Sequence, residues 1–255
     1  MPLTALLLVA TLGATGDAVP PVPVSVSAQD APEEFPQWSG SLAFGTIWTA
    51  GNTENTTING NFNAERRGEM DRWTIGLYGN YGTTDPGNIE TTNNSGGGVK
   101  YDYFQTPKLY WYGNGQAKVD HVADLNLRTI LGAGAGYQWF ETEKSKWGTE
   151  LGLSYVDEDF EDDSADASFT SVRVASNYTR HLSKTTTFEQ VAEAFPSLED
   201  SSDFVAKVDS RLKLNITGKW IAQIQYVLDF DDSTPAGVKE ADHRVVLGIG
   251  WAFGD

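Results

Sequence analysis

The chain has no cysteine. Disulfides, thiol catalysis and cysteine-ligated zinc or iron–sulfur sites are therefore excluded. Histidine is scarce, with only His121, His181 and His243. Basic residues are a minority: 18 Lys and Arg stand against 35 Asp and Glu, a formal charge of −17 over 255 residues. Nucleic acid is thereby excluded as a partner, because phosphate binding needs clustered Lys and Arg. Long hydrophobic runs are also missing. No window approaches eighteen consecutive apolar residues, so the sequence predicts no transmembrane helix. What is present is 40% apolar residues, 26 glycines and 30 aromatics, too hydrophobic a mixture for a disordered chain.

Leu3 to Ala10 (LTALLLVA) form a short apolar run. Small and polar residues follow, then a Pro/Val stretch that ends at Val26-Ser27-Ala28, small side chains of the kind a signal peptidase accepts. Residues 1–28 are read as a signal peptide, 29–36 as a short tail and 37–255 as the folded domain. No Lys or Arg precedes the apolar run, which departs from the usual leader.

From Trp38 onward the pattern is alternation in segments of ten to fifteen residues separated by turn chemistry, which predicts strands. At the end of the chain His243, Val245, Leu247, Ile249, Trp251 and Phe253 share one face, and Asp242, Arg244, Val246, Gly248 and Gly250 the other. Twelve such segments are read: 37–49, 55–66, 72–82, 97–105, 108–119, 125–140, 146–156, 167–180, 186–196, 204–216, 219–230 and 242–253. Short turns alternate with longer, more polar loops at 50–54, 83–96, 120–124, 157–166, 197–203 and 231–241, the arrangement of an up-and-down meander.

Charge position decides between a soluble and a membrane sheet. The longer loops and their strand ends hold twenty acids and one base, Lys239; the short turns hold nine bases and four acids. The strands hold eight bases and six acids, all opposite the larger apolar side chains. Tyr78, Tyr110, Tyr112 and Phe140 are read onto the same polar face. A soluble barrel turns its apolar face inward; a membrane barrel turns it to lipid and keeps a polar lumen. Aromatics near strand ends, strands long enough to cross hydrocarbon when tilted, an even strand count and a leader without a helical anchor favour the second. The expected fold is all-β: a closed up-and-down antiparallel transmembrane β-barrel of about 12 strands, closed because lipid tolerates no open sheet edge.

Several pieces carry a resemblance. Trp38-Ser39-Gly40 opens the first strand and Gly51-Asn52-Thr53 lies in the first loop. Lys100-Tyr101-Asp102-Tyr103-Phe104 follows, then Leu127-Arg128 with Gly132-Ala133-Gly134-Ala135-Gly136-Tyr137. Phe195-Pro196-Ser197-Leu198, Asp232-Ser233-Thr234-Pro235 and Asp242 complete the order. Over about 37–253 the chain resembles the YdiY-like salt-induced outer-membrane proteins, a bacterial family of unknown function. The resemblance implies a Gram-negative outer-membrane barrel without established activity, with outer-membrane lipid, lipopolysaccharide and the barrel assembly machinery as partners. One departure is that Phe253 is followed by Gly254-Asp255, where such barrels usually end on an aromatic.

Candidate chemistry is sparse. His181-Leu182-Ser183 has the His-x-Ser order of an outer-membrane phospholipase, but at a short turn, away from the rim where outer-leaflet lipid would be attacked. His243 with Asp229, Asp231, Asp232 and Asp242 resembles the Asp/His sets of outer-membrane proteases. The better candidates are lumen charges on neighbouring strands: Arg173, Glu189, Glu193, Lys207, Asp209, Arg211 and Lys213. They form either the filter of a narrow pore or a neutral ion-pair plug, and the plug is favoured. The acidic run Asp157-Glu158-Asp159-Phe160-Glu161-Asp162-Asp163 is read mainly as a solvated loop tip, with weak sharing of divalent cations. No catalytic residue, cofactor or metal site is expected. The leading function is a non-enzymatic outer-membrane barrel for envelope integrity or narrow, cation-favouring passage. The alternatives are an outer-membrane hydrolase with a rim His/Asp site and a soluble, secreted ligand-binding barrel.

Overall fold

Alternating side chains demand a sheet with two unlike faces, and twelve such strands joined by hairpins close on themselves. The computed structural model describes residues 37–49, 54–85, 87–161, 166–199, 204–231 and 241–254. The signal-peptide and tail assignments, and Gly51-Asn52-Thr53 and Asp232-Ser233-Thr234-Pro235, lie outside them. The strands are β1 (Trp38–Thr49), β2 (Glu54–Arg67), β3 (Asp71–Asp85), β4 (Ile89–Phe104), β5 (Leu109–Asp120) and β6 (Leu125–Glu141). They continue as β7 (Ser145–Phe160), β8 (Ala167–His181), β9 (Thr186–Pro196), β10 (Phe204–Thr217), β11 (Trp220–Asp231) and β12 (Ala241–Phe253).

Each strand pairs antiparallel with its sequence neighbours, and β12 returns to β1 to close the barrel. The closing seam runs from Gly40↔Phe253 to Gly45↔Gly248, six pairs against twelve between β1 and β2. Small residues make this seam close: a Cβ at Gly250 would stand 2.8 Å from that of Ala43.

Burial is inverted relative to a water-soluble barrel. Leu42, Phe44, Leu77, Leu131, Leu151, Leu153, Leu247 and Ile249 are exposed on the outer wall. Asp102, Glu150, Arg173 and Asp209 are buried inside. Charged side chains are almost never fully buried unless paired, whereas large apolar ones usually are, so this wall is shaped for lipid. Of the eight tryptophans, seven have described side chains, at Trp38, Trp73, Trp111, Trp139, Trp147, Trp220 and Trp251, and all seven lie at the short-turn end. There they stack in pairs, Trp139 on Trp147 at 5.5 Å and Trp220 edge-on to Trp251 at 5.2 Å. Amphipathic indoles sit at the boundary between hydrocarbon and headgroups, so this ring marks one membrane interface.

Three sequence expectations change. The expected loop 83–96 is mostly strand: β3 runs to Asp85 and β4 starts at Ile89, with a tight turn whose Gly87 and Asn88 have φ of 108° and 51°. Asn80 Nδ2 donates to Asn94 Oδ1 at 2.7 Å across this hairpin. The expected loop 157–166 also shrinks, because β7 continues to Phe160. Phe140 does not point inward. A bulge after Gln138 places Phe140 opposite Trp147, so its ring joins the outer aromatic belt, 5.9 Å from Trp147; a bulged strand loses its two-residue alternation at that point.

Candidate functional site: the charged lumen

The lumen is built in three layers. At the short-turn end Phe104, Tyr110 and Tyr112 form a buried aromatic cluster, and the Arg67 guanidinium covers the Phe104 ring at 3.7 Å. Towards the loop end Ile130, Val156, Phe169, Phe195 and Val205 form a buried apolar cluster on five consecutive strands. Ion pairs occupy much of the space between.

The largest group of charges crosses the barrel. Arg72 Nε donates to Asp102 Oδ2 at 2.6 Å, and Lys100 contacts the other oxygen of the same carboxylate. Lys100 Nζ also lies 2.6 Å from Glu150 Oε1. Arg173 Nη1 donates to Glu150 Oε2 at 2.7 Å, and its Nε donates to Glu193 Oε1 at 3.0 Å. The result is an alternating chain, Arg72–Asp102–Lys100–Glu150–Arg173–Glu193, drawn from β3, β4, β7, β8 and β9.

This chain skips β5 and β6, and the local sequence explains how. On β5 the inward residues include Tyr110 and Tyr112; β6 offers glycine at 132, 134 and 136. A Cβ at Gly136 would collide with the Tyr110 ring, and one at Gly134 would meet the Tyr112 hydroxyl at 2.8 Å. The glycines make the groove in which the two rings lie. Tyr110 Oη then donates to Glu150 Oε1 at 2.8 Å, and the Arg173 guanidinium lies 4.9 Å from the Tyr112 ring.

The remaining charges form smaller groups. Lys213 Nζ lies 2.8 Å from Glu189. Arg211 Nε donates to Asp209 at 3.0 Å, and Gln225 Nε2 donates to the same carboxylate at 2.7 Å. Arg244 contacts Asp229, which Lys207 approaches at 4.0 Å. Lys118 pairs with Asp120 at 3.0 Å, and Arg128 with Glu158. Each of these nine lumen cations has a carboxylate within 4.0 Å.

All seven charges singled out from sequence line the lumen, but not as one network. Arg173 and Glu193 belong to the transverse chain, Glu189 and Lys213 form a separate pair, as do Asp209 and Arg211, and Lys207 faces Asp229. Asp229 and Glu158, assigned to rim loops, point inward and are buried, and Arg72, assigned to a turn, reaches Asp102. Strand ends keep the two-residue alternation beyond the turn signals that bound them in sequence. The link from β4 to β7 was missed because those strands are not neighbours; the Gly-x-Gly-x-Gly of β6 was its one sequence signal.

The hydrolase candidates separate. His243 is exposed on the outer wall, where its Nδ1 lies 2.8 Å from Tyr226 Oη. Asp229 is on the opposite face of the same sheet, 2% exposed. The side chains of Asp231 and Asp242, and all of Asp232, lie outside the described residues. His181 Nδ1 is 2.9 Å from Thr187 Oγ1, while Ser183 Oγ accepts from the backbone N–H of Thr186 at 3.0 Å, so each is engaged within its own turn. Of the acidic run, Asp157, Asp159 and Glu161 are exposed but Glu158 is not.

Comparison with known proteins places this geometry. Among solved structures, the NanC porin shares the fold with a TM-score of 0.52 at 11% identity, over 83% of this chain and 98% of that chain. The COG4313 outer membrane channel from Pseudomonas putida F1 gives a TM-score of 0.49 at 12% identity, over 90% of this chain and 100% of that one. The KdgM porin gives 0.42 at 9% identity, over 85% and 99%. No curated protein matches the chain. The family described as "Protein of unknown function, DUF481" matches residues 42–253.

Proposed function

The chain belongs to the DUF481 family of proteins of unknown function, and from that premise we propose that it is a non-enzymatic outer-membrane barrel with a plugged lumen, serving envelope integrity under ionic or osmotic stress. The observation that carries this reading is the matching of nine described lumen cations with carboxylates, in a lumen that also holds an apolar cluster and an aromatic cluster. A permeation path needs polar groups that exchange partners with the solute. Buried ion pairs that are already satisfied hold the strands in register instead, and removing one member is costly.

The two ends of the barrel differ in charge. Among the described residues, the exposed acids Asp85, Glu90, Asp124, Asp157, Asp159, Glu161, Asp166 and Glu199 cluster at the loop end, whereas the turn end exposes Lys108, Lys144, Arg180, Lys184 and Lys219 alongside Glu69, Glu141 and Glu143. The acidic end is the one facing outward in this reading, where it concentrates cations and shares divalent ions with lipopolysaccharide. Any residual leak is therefore cation-favouring at its mouth.

Planar-bilayer recording tests the proposal. The purified barrel is expected to give little or no steady conductance, and cells lacking it are expected to leak a periplasmic reporter when salt is raised. Large, stable ohmic steps from the unmodified protein would replace the plug with a pore.

A further inference from the structure

The β1–β12 seam closes over only part of its height. Register partners across it end at Gly45↔Gly248. β1 continues to Thr49 paired with β2, and β12 begins at Ala241 paired with β11. Among the described residues, Thr46–Thr49 and Ala241–Leu247 therefore have no register partner across the seam, and the wall is split from there towards the loop end. Gly45 follows Trp38 of the tryptophan ring by seven residues. At about 3.3 Å per residue and a tilt of roughly 40°, that is ~18 Å of an apolar band about 25 Å tall. The split thus begins inside the membrane, where hydrocarbon satisfies no backbone edge.

The two sides of the split differ in chemistry. Outside it, a groove of about 1,020 Å³ runs across the lipid-facing wall, lined by Phe44 and Ile58 on one side and Leu212, Ile224, Leu247 and Ile249 on the other, with the small Ala222, Gly45 and Gly248 among them. Inside it, Gln223, Gly248, Gly45 and Asn59 form one row of direct register partners across four strands. The two glycines leave a gap, and the amides lean over it from either side. A Cβ at Gly45 would collide with Asn59 Oδ1, and one at Gly248 would stand 3.6 Å from Gln223 Nε2. Asn59 is 5% exposed and Gln223 3%, and neither the oxygen nor the nitrogen of either amide has a hydrogen-bond partner. Buried amides are rarely left this way. The lumen space beside Asn59 and Val246 is about 40 Å³, room for a few water-sized particles.

We propose that the split seam binds one long-chain fatty acid, its tail in the outer groove and its carboxyl group passing above the Gly45–Gly248 pair to the Asn59 and Gln223 amides. An apolar groove outside and unsatisfied hydrogen-bonding groups inside call for an amphiphile. A carboxyl group offers oxygens to amide N–H donors and, when protonated, an O–H to an amide oxygen. The small space beside Asn59 excludes the phosphate and sugar heads of phospholipid and lipopolysaccharide. The site needs the lipid-facing wall and stands whether or not the lumen conducts.

The test irradiates the full chain in phosphatidylcholine vesicles with palmitic acid carrying a diazirine at its chain terminus and maps the labelled peptides by mass spectrometry. Label is expected to concentrate at Phe44, Leu212, Ile224 and Leu247, severalfold above Leu131, Leu151 and Leu153, which are comparably exposed on β6 and β7. Ala222→Phe fills the groove from the lipid side and is expected to lower that label severalfold. Asn59→Leu combined with Gln223→Leu removes both amides and is expected to do the same, with gel mobility of unboiled samples reporting each fold. Even labelling around the wall would overturn the proposal. Equal labelling of the groove by the corresponding alkane without its carboxyl group would also overturn it, because the head would then contribute nothing. If the double variant does not fold, Ala222→Phe and the alkane decide the matter. Conductance of the unmodified barrel bears on the plug alone, so the two readings fail separately.

Discussion

Lys100 on β4 reaches Glu150 on β7 at 2.6 Å, passing over the two strands between them. The contact turns what could have been a ladder of neighbouring pairs into a strut across the lumen. It depends on Tyr110 lying flat in the space that Gly136 provides and donating its hydroxyl to the same carboxylate oxygen. Glu150 thus holds three partners at once, Lys100, Arg173 and Tyr110.

Glu150→Gln is expected to be among the most destabilising size-conserving changes in the barrel. It leaves Lys100, Arg173 and Arg72 sharing two carboxylates in a site without bulk water. Removing one member of a buried ionic group costs about 3–5 kcal/mol. The temperature at which the unboiled gel band is lost should fall clearly, while Glu161→Gln, an exposed change at the loop end, should leave it where it was. Equal midpoints for the two variants would mean that the strut contributes nothing to stability.

The β6 glycines make a second, graded prediction. A Cβ at Gly136 meets a tyrosine ring, which can move; one at Gly134 meets backbone, the Leu151 carbonyl and Gly152 Cα. Gly136→Ala should displace Tyr110 from Glu150 and cost about 1–3 kcal/mol, the range for overpacking. Gly134→Ala should cost more, because β6 and β7 must separate. Denaturant unfolding of both variants checks the order.

Strand number, pairing order and the identity of the lipid face were legible because period-two alternation survives wherever the two faces differ. It fades where both faces are polar, which is why Thr91, Thr92, Asn93 and Asn94 read as loop although they belong to β4. A two-face assignment also hides composition within a face. Phe169, Phe195 and Val205 share the lumen with Arg173, Glu193 and Lys207, so a lumen read as polar has an apolar layer. Contacts such as Lys100–Glu150 depend on barrel curvature and on glycine gaps, neither of which a strand-by-strand reading contains.

The tryptophan ring predicts a depth. With Trp48→Phe, the remaining indoles are the seven at the short-turn end. In vesicles, lipids with bromine close to the headgroup should quench their fluorescence more than lipids brominated near the chain terminus, since indoles partition to the interface. Stronger quenching from the bilayer centre would misplace the barrel along the membrane normal.

Closure of the sheet makes the last prediction. Phe44 and Ile249 are register partners across the β1–β12 seam, and both side chains face outward. Directly opposed residues in an antiparallel pair lie about 4.5–5.5 Å apart at Cα, within the range a disulfide spans. The chain has no cysteine of its own, so Phe44→Cys with Ile249→Cys gives an unambiguous reporter. Mild oxidation of the folded barrel should form an intramolecular bond that joins the two ends of the domain, and after boiling without reductant that cyclised form should run faster than the reduced one. Phe44→Cys with Leu77→Cys places the second thiol on β3, beyond β2, and should give no such species. A heat-modifiable barrel that fails to form the 44–249 bond would have an open seam. Its edge amides would then need partners other than each other, because hydrocarbon offers none.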